Sequence, residues 1–160
     1  MPEKFRNKYR IASHRKPNWD YSADALYFLT IVTQHRKCNL GQVIHSKDIS
    51  FVELSDFGRI VETELLSIKR NPPKRMPQSI SSFMAGFKSA VNTKINDYID
   101  QHQLNIPKYN RHNHFFQANY HDHIIRNYRE YINISRYIIQ NPRNWGKDKF
   151  YGNNKFSRIS

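Results

Sequence analysis

The last third of the chain constrains its fold most, because the hydrophobic periodicity changes there from that of a strand to that of a helix. Residues 121–125 form a short run that becomes apolar and β-branched towards its end, which predicts a strand. From 128 to 140, Tyr131, Ile134 and Ile138 recur at intervals of three and four, which predicts a helix. Asn141 precedes Pro142, and a residue before proline is disfavoured in the helical conformation, so the helix is expected to stop there.

One side of this helix carries a tyrosine between two amides. Asn133, Tyr137 and Asn141 are spaced four residues apart and therefore lie on the same side of the helix. Because Tyr137 lies off the apolar stripe, its hydroxyl is free to face a substrate. The alternative is a half-buried tyrosine whose hydroxyl is satisfied within the protein. The spacing leaves both interpretations open.

Further elements are predicted upstream of this helix. Residues 26–33 form the clearest strand. Residues 56–68 carry an apolar stripe at helical spacing, and Ser55 is a suitable N-cap for that helix. Residues 79–99 predict a second helix with a buried face. A loop around Pro107 then leads to a strand within residues 115–125.

The chain is strongly basic, with a formal net charge of +13 over 160 residues, a length that predicts one domain. Such a charge favours an anionic partner, and we expect this partner to be nucleic acid. Ten tyrosines and ten phenylalanines accompany the basic residues, and exposed aromatic rings stack on unpaired bases with a gain of roughly 1–3 kcal/mol per base. The residues predicted to contact nucleic acid are Lys4, Arg6, Lys8, Arg10, Arg15, Lys16, Lys88 and Arg126.

The composition of the chain also predicts its division into three parts and its cellular compartment. Residues 1–20 are predicted to form a basic arm (a disordered, solvated tail is the alternative), 21–145 a folded domain and 146–160 a polar tail. The single cysteine, Cys38, excludes an internal disulfide and suits a reducing cytoplasm. No stretch reaches the ~20 apolar residues of a membrane span, and no signal peptide is visible. We therefore expect a cytoplasmic protein without a membrane partner.

A series of segments carries a resemblance to a known family. They are residues 1–11, Trp19-Asp20-Tyr21, 27–33, 54–61, 86–91 and the two C-terminal motifs, 121–127 and 137–142. In this order they resemble the REP-associated tyrosine transposases, a branch of the single-tyrosine HUH transposases. The resemblance implies a ferredoxin-like α+β fold, in which helices cover an antiparallel sheet. It also implies that Tyr137, in the family's Tyr-Ile-x-x-Asn-Pro motif, is the nucleophile and that Asn141 belongs to the same catalytic site. Attack on DNA would leave a 5′-phosphotyrosine link and a free 3′-hydroxyl.

The family's metal site is missing from this sequence. Family members carry a His-hydrophobic-His pair on a central strand between the two helices, whereas residues 69–78 contain no histidine here. Two strands and their turn are expected to be absent, so the sheet would lack a central β-hairpin. The family's Trp-Gln is also changed, to Phe116-Gln117.

The lost pair matters because a tyrosine hydroxyl, with a pKa of about 10, is a poor nucleophile at neutral pH. In the family, Mg²⁺ or Mn²⁺ held by the histidines stabilises the charge that develops on the phosphate. This chain is therefore expected to bind no metal and to be catalytically deficient. His121 and His123 share a face of a predicted strand and are weak candidates for a replacement site, although hydrogen-bonded strand histidines are the more ordinary interpretation. Tyr120 is the alternative nucleophile.

Several outcomes remain open from the sequence. A two-stranded sheet is marginal in water without support, so we expect a less stable domain, a homodimer that completes the sheet, or a poorly folding relic. The function is expected to be that of an impaired transposase-family DNA-binding protein. The alternative is a non-enzymatic module for single-stranded or hairpin DNA, and a weaker one is an unrelated RNA-binding protein.

Overall fold

The fold is a mixed α+β arrangement of short strands and three helices within the described part of the chain. The computed structural model describes residues 4–5, 8–9, 19–20, 25–47, 49–70 and 79–147. The strands are β1 (Lys4–Phe5), β2 (Lys8–Tyr9), β3 (Leu26–Thr30), β4 (Gly41–His45), β5 (Ser50–Leu54) and β6 (His121–Ile125). The helices are α1 (Asp56–Arg70), α2 (Ile80–Gln101) and α3 (Tyr128–Asn144), with 3-10 turns at Gln34–Arg36 and Trp145–Lys147. The α+β class is confirmed, and the ferredoxin-like, transposase-like assignment stays a prediction.

The strands pair as two-stranded antiparallel sheets, β1 with β2, β3 with β6 and β4 with β5. In the β3–β6 sheet, Phe28 lies opposite His123 and Leu29 lies opposite Asp122. Residues directly opposite each other point to the same face, and successive residues alternate between faces. Phe28 and His123 therefore share one face of the sheet, while Leu29 and Ile124 share the other.

The hydrophobic core lies on the Leu29 face of this sheet and is built mainly by α2. The buried residues of α2 recur at intervals of three and four and are Met84, Phe87, Val91, Ile95 and Ile99. Phe57 of α1 and Phe115 and Phe116, which precede β6, complete the cluster, and Leu29 packs against it. Both upstream helices were predicted, and each runs about two residues beyond its expected end.

Hydroxyl side chains cap the starts of α1 and α2. Ser55 Oγ accepts a hydrogen bond from the Gly58 N–H at 3.0 Å, which confirms the predicted N-cap of α1. Ser79 Oγ accepts one from the Ser82 N–H at 3.3 Å at the start of α2. The backbone N–H of Ser55 also donates to the Leu40 carbonyl at 3.0 Å, so the start of α1 is fixed against the segment that enters β4.

Helix α3 lies over the opposite face of the β3–β6 sheet and against the β4–β5 hairpin. The rings of Phe28 and Tyr137 meet edge to face, with centroids 6.2 Å apart. Asn127 Oδ1 accepts the Glu130 N–H at 2.9 Å and caps the helix. None of the residues of α3 is fully buried. Helices therefore support both faces of the two-stranded sheet, and α3 remains a surface helix.

The predicted end of the last helix is wrong. Helix α3 continues through Asn141 and Pro142 and ends at Asn144. A proline in the last turn removes a single late backbone hydrogen bond, a smaller loss than in mid-helix. Pro142 and Trp145 are also half-buried against the rest of the protein, and this packing favours the continued helix.

The strand expected within residues 115–125 is shorter than predicted, because β6 begins only at His121. Phe116 contributes an isolated bridge to Thr33. Between Phe116 and His121, the ammonium group of Lys88 donates hydrogen bonds to the carbonyls of Gln117 and Ala118 at 2.7 and 3.0 Å. These carbonyls are therefore not available for pairing with a neighbouring strand. The β4–β5 hairpin was not predicted at all.

The expected loss of the family's central hairpin falls between α1 and α2. Helix α1 ends at Arg70 and α2 is capped by Ser79, and residues 71–78 lie outside the described residues. The tail from 148 to 160, including Phe150, also lies outside them. Within the described chain, no helix is both long and apolar enough to cross a membrane.

Candidate nucleic-acid interface

Tyr137 and Asn141 lie one turn apart on α3 and open onto a groove of about 660 Å³. The walls of this groove, called the Tyr137 groove below, are the segment that follows β3, the β4–β5 hairpin and the C-terminal half of α3. The side chain of Tyr137 is 58% exposed, and its hydroxyl makes no hydrogen bond to another described residue. A half-buried tyrosine with a satisfied hydroxyl is therefore not what the structure contains.

The Tyr137 groove combines positive charge with apolar and aromatic surface. Among the residues described, the charged side chains that line it are Arg36 and Lys37, and no carboxylate lines it beside them. Trp145 adds a second aromatic side chain. Guanidinium and ammonium groups attract phosphate, and aromatic faces stack on bases. The lining is therefore suited to an anionic ligand that also carries flat apolar groups.

A tight turn presents Arg36 to the groove. His35 and Arg36 have φ angles of 55° and 56°, the left-handed region that non-glycine residues seldom adopt. Hydrogen bonds hold the turn: Gln34 N–H donates to the Phe115 carbonyl at 2.8 Å, and Thr33 Oγ1 donates to the Lys37 carbonyl at 2.7 Å. Each non-glycine residue in the left-handed region destabilises the folded state by about 1–3 kcal/mol, and strained backbone of this kind clusters at functional sites.

Cys38, the cysteine noted in the sequence, also lines the Tyr137 groove. Its side chain is partly buried, and burial raises the pKa of its thiol because the thiolate is poorly solvated there. The thiol is therefore a weakly reactive group at the wall of the groove.

The weak metal candidates His121 and His123 lie on the same sheet face as Phe28, and therefore on the face that α3 covers. His123 Nε2 is 2.8 Å from Glu130 Oε1. An ionised carboxylate only accepts hydrogen bonds, so Nε2 must carry a proton and has no lone pair for a metal in this arrangement. In the described chain, no group of three histidine, cysteine, aspartate or glutamate side chains is placed to hold a metal ion. Whether the pair binds a metal stays a prediction.

Glu130 links the start of α3 to β6. Its second carboxylate oxygen accepts the Arg126 backbone N–H at 2.7 Å. This hydrogen bond has the largest effect on the pKa of Glu130, and the one from His123 has the next largest. Both favour the ionised carboxylate and hold the pKa of Glu130 below its ordinary value. The contact fixes the N-terminus of the helix that carries Tyr137.

Two of the predicted nucleic-acid contacts lie away from the Tyr137 groove. Lys88 is half-buried on α2, where its ammonium group holds the Gln117 and Ala118 carbonyls and lies 5.9 Å from the Tyr120 ring centroid. Burial lowers the pKa of Lys88. The side chain of Arg126 is exposed between β6 and α3. The structure therefore gives Lys88 a tethering role, and phosphate contact by either residue stays a prediction.

The predicted contacts in the N-terminal arm are only partly within the described residues. Lys4 and Lys8 belong to β1 and β2, which pair with Lys4 opposite Tyr9 and Phe5 opposite Lys8. Arg6, Arg10, Arg15 and Lys16 lie outside the described residues.

Sequence reasoning missed Arg36 and Lys37, the two cations of the groove. Their signal was available, since Gln34-His35-Arg36-Lys37 is a basic run directly after the strand-like segment 26–33. The link to Tyr137 was not available, because it depends on how α3 folds back over β3 and the β4–β5 hairpin.

Comparison with known proteins gives one remote relative. A protein of Haemophilus influenzae (strain ATCC 51907 / DSM 11121 / KW20 / Rd), described as an uncharacterized protein, is 23% identical over 193 residues, covering 90% of this chain and 97% of the relative. The alignment includes about 144 of the 160 residues of this chain, so about 49 of its 193 positions hold residues of the relative with no counterpart here. No family model matches the chain. No solved structure matches it either.

Proposed function

We propose that this protein binds single-stranded DNA, or the unpaired part of a DNA hairpin, in the Tyr137 groove. The observation that carries the proposal is the position of Tyr137 and Asn141 on a groove whose lining charges are Arg36 and Lys37. A volume of about 660 Å³ is typical of a small-ligand site. It suits one or two unpaired nucleotides and is too small for a duplex.

The chemistry of the lining supports each part of such a ligand. Arg36 and Lys37 would neutralise phosphates, Tyr137 and Trp145 would stack on bases, and the Asn141 amide would donate to or accept from base edges. The net charge of +13 would attract the strand from a distance. This division of roles is the usual one for single-strand binding, in which charge follows the backbone and aromatic rings take the bases.

We further propose that the protein is an impaired relative of the single-tyrosine transposases. Support comes from the exposed Tyr137 of the family-like motif, whose ring opens onto the groove. The same groove serves the alternative, a non-enzymatic binding module, equally well. The two differ only in whether Tyr137 forms a covalent bond with DNA.

The binding proposal is tested by fluorescence anisotropy with a labelled oligothymidine strand over a range of salt concentrations. A variant with Arg36→Gln and Lys37→Gln removes both groove cations. Its control, Lys47→Gln with Lys94→Gln, removes two exposed cations elsewhere. Each lost phosphate contact on a single strand lowers the slope of log K against log salt by about 0.7. We therefore expect the magnitude of this salt slope to fall by about 1.4 for the groove variant and to change little for the control.

Two outcomes contradict the proposal. One is equal weakening by the groove and control variants, which would mean that only total charge matters. The other is no binding at low salt by protein whose fold is verified by circular dichroism. An equal affinity for the matching RNA strand would favour the RNA-binding alternative.

A further inference from the structure

The solvent-facing side of α3 carries a continuous polar ridge, called the α3 ridge below. With about 3.6 residues per turn, five positions fall within an arc of about 80°. All five side chains are exposed, and they are Arg129, Asn133, Arg136, Gln140 and Arg143. Ile134, Ile138 and Trp145 occupy the opposite side of the helix, which faces the protein. The ridge is therefore separate from the Tyr137 groove, which opens on the flank and the inner side of α3.

The α3 ridge carries charge of one sign. No acidic residue lies on it, and the acidic residue of α3, Glu130, is already bonded to Arg126 and His123. None of the ion pairs formed by the described residues includes Arg129, Arg136 or Arg143. A helix face that serves only as solvated surface commonly alternates the sign of its charges. An unopposed row of arginines instead favours an extended anionic partner.

The ridge side of α3 is accessible along the length of the helix, because all five ridge side chains are exposed. The inner side of the helix packs on the domain, where Tyr137 meets Phe28 edge to face. A helix with its side chains is about 10–12 Å across, and the major groove of B-form DNA is about 12 Å wide. The major groove of A-form RNA is too deep and narrow for side chains to read. The shape therefore fits duplex DNA better than duplex RNA.

We propose that the α3 ridge docks in the major groove of a DNA duplex. Arg129, Arg136 and Arg143 are spaced about 10.5 Å apart along the helix axis and would contact phosphates or guanine edges. Asn133 and Gln140 alternate with them, and these amides pair with adenine edges. The α3 ridge thus takes paired DNA, while the Tyr137 groove takes unpaired nucleotides. The two sites use different residues, so either can fail without the other.

The test compares two triple variants on a short, blunt-ended DNA duplex that offers no unpaired strand. The ridge variant carries Arg129→Gln, Arg136→Gln and Arg143→Gln. The control carries Lys47→Gln, Lys94→Gln and Arg111→Gln, three exposed cations away from α3. Each lost phosphate contact on B-form DNA lowers the salt slope by about 0.9, so we expect a fall of about 1 to 2.7 for the ridge variant. The control should bind as the unmodified protein does, and the ridge variant should still bind oligothymidine.

A second pair of measurements distinguishes groove reading from attraction to any anion. Asn133→Ala with Gln140→Ala should leave the salt slope unchanged but flatten the preference among duplexes of different sequence. The matching RNA duplex and vesicles of anionic lipid should bind much more weakly than duplex DNA. The proposal is overturned if the ridge and control variants weaken duplex binding equally, if the ridge variant loses single-strand binding to the same extent, or if RNA duplexes or anionic vesicles bind as tightly.

Discussion

A methyl group added at Gly58 should destabilise the fold, because Gly58 lies where the start of α1 meets the segment entering β4. A Cβ at this position would clash with the Leu40 carbonyl oxygen and would lie 2.9 Å from the Leu40 carbonyl carbon. That oxygen already accepts the Ser55 N–H, so it cannot move away without breaking a hydrogen bond. The backbone of α1 or of the Leu40 segment must therefore shift to admit alanine.

The magnitude follows from two opposed effects. Overpacking costs typically about 1–3 kcal/mol, and a clash with backbone belongs at the upper end of that range. Alanine recovers about 1 kcal/mol because it favours the helix over glycine. The net loss in the free energy of unfolding should be about 2 kcal/mol, which corresponds to a fall in Tm of roughly 4–8 °C for a domain of this size.

Gly146→Ala is the matched control, because a Cβ at Gly146 would meet no atom within 4 Å. Urea and thermal unfolding followed by circular dichroism measure both variants. The control should lie within about 0.5 kcal/mol of the unmodified protein, as is usual for surface substitutions. If Gly58→Ala is equally neutral, α1 does not pack against Leu40 as described.

Three further predictions concern Tyr137, Glu130 and Lys88. With single-stranded DNA and Mg²⁺ or Mn²⁺, the protein should form little or no covalent adduct in denaturing gels; a robust adduct that disappears in Tyr137→Phe would reveal a replacement metal site, and one that persists would move the nucleophile elsewhere, first to Tyr120. Because the pKa of Glu130 is lowered in the folded protein, its ionised carboxylate stabilises the fold above the ordinary glutamate pKa of about 4.3. This stabilisation is lost as the pH falls through the lower pKa of the folded state. Glu130→Gln should therefore reduce the loss of unfolding free energy at acidic pH, measured by urea melts over a range of pH. Lys88→Met should lower stability by about 1–3 kcal/mol through the freed Gln117 and Ala118 carbonyls while leaving the salt slope for single-stranded DNA unchanged, and a changed slope would mean that Lys88 contacts phosphate.

Local sequence signals were sufficient for the elements with a strong period. The stripes of α1 and α2, the Ser55 cap of α1 and the β-branched end of β6 all predicted the observed structure. The end of α3 was not predictable from the proline rule, because Pro142 and Trp145 gain packing that the rule does not include. The late start of β6 was not predictable from its own residues, because it depends on Lys88. This lysine lies 29 residues before Gln117, whose carbonyl accepts its hydrogen bond.

The Tyr137 groove was only half predictable. Tyr137 and Asn141 follow from helical spacing and from the family-like motif, but Arg36 and Lys37 come from a turn about 100 residues away in the sequence. The β4–β5 hairpin, which forms another wall, had signals in the β-branched runs around Val43 and Val52. Its place beside α3 is a tertiary contact that no local pattern encodes.

The most direct test of the account is the rate at which a maleimide reagent modifies Cys38 with and without DNA. Cys38 is the one cysteine in the sequence and lines the Tyr137 groove, so its modification reports on the groove without any mutation. Burial raises the pKa of its thiol, so modification should be slow and readily timed by mass spectrometry. Saturating single-stranded DNA should slow it several-fold further, whereas a blunt-ended duplex bound at the α3 ridge should leave it unchanged. An unchanged rate with single-stranded DNA, under conditions where anisotropy shows the strand to be bound, would contradict the proposal that the Tyr137 groove is the binding site.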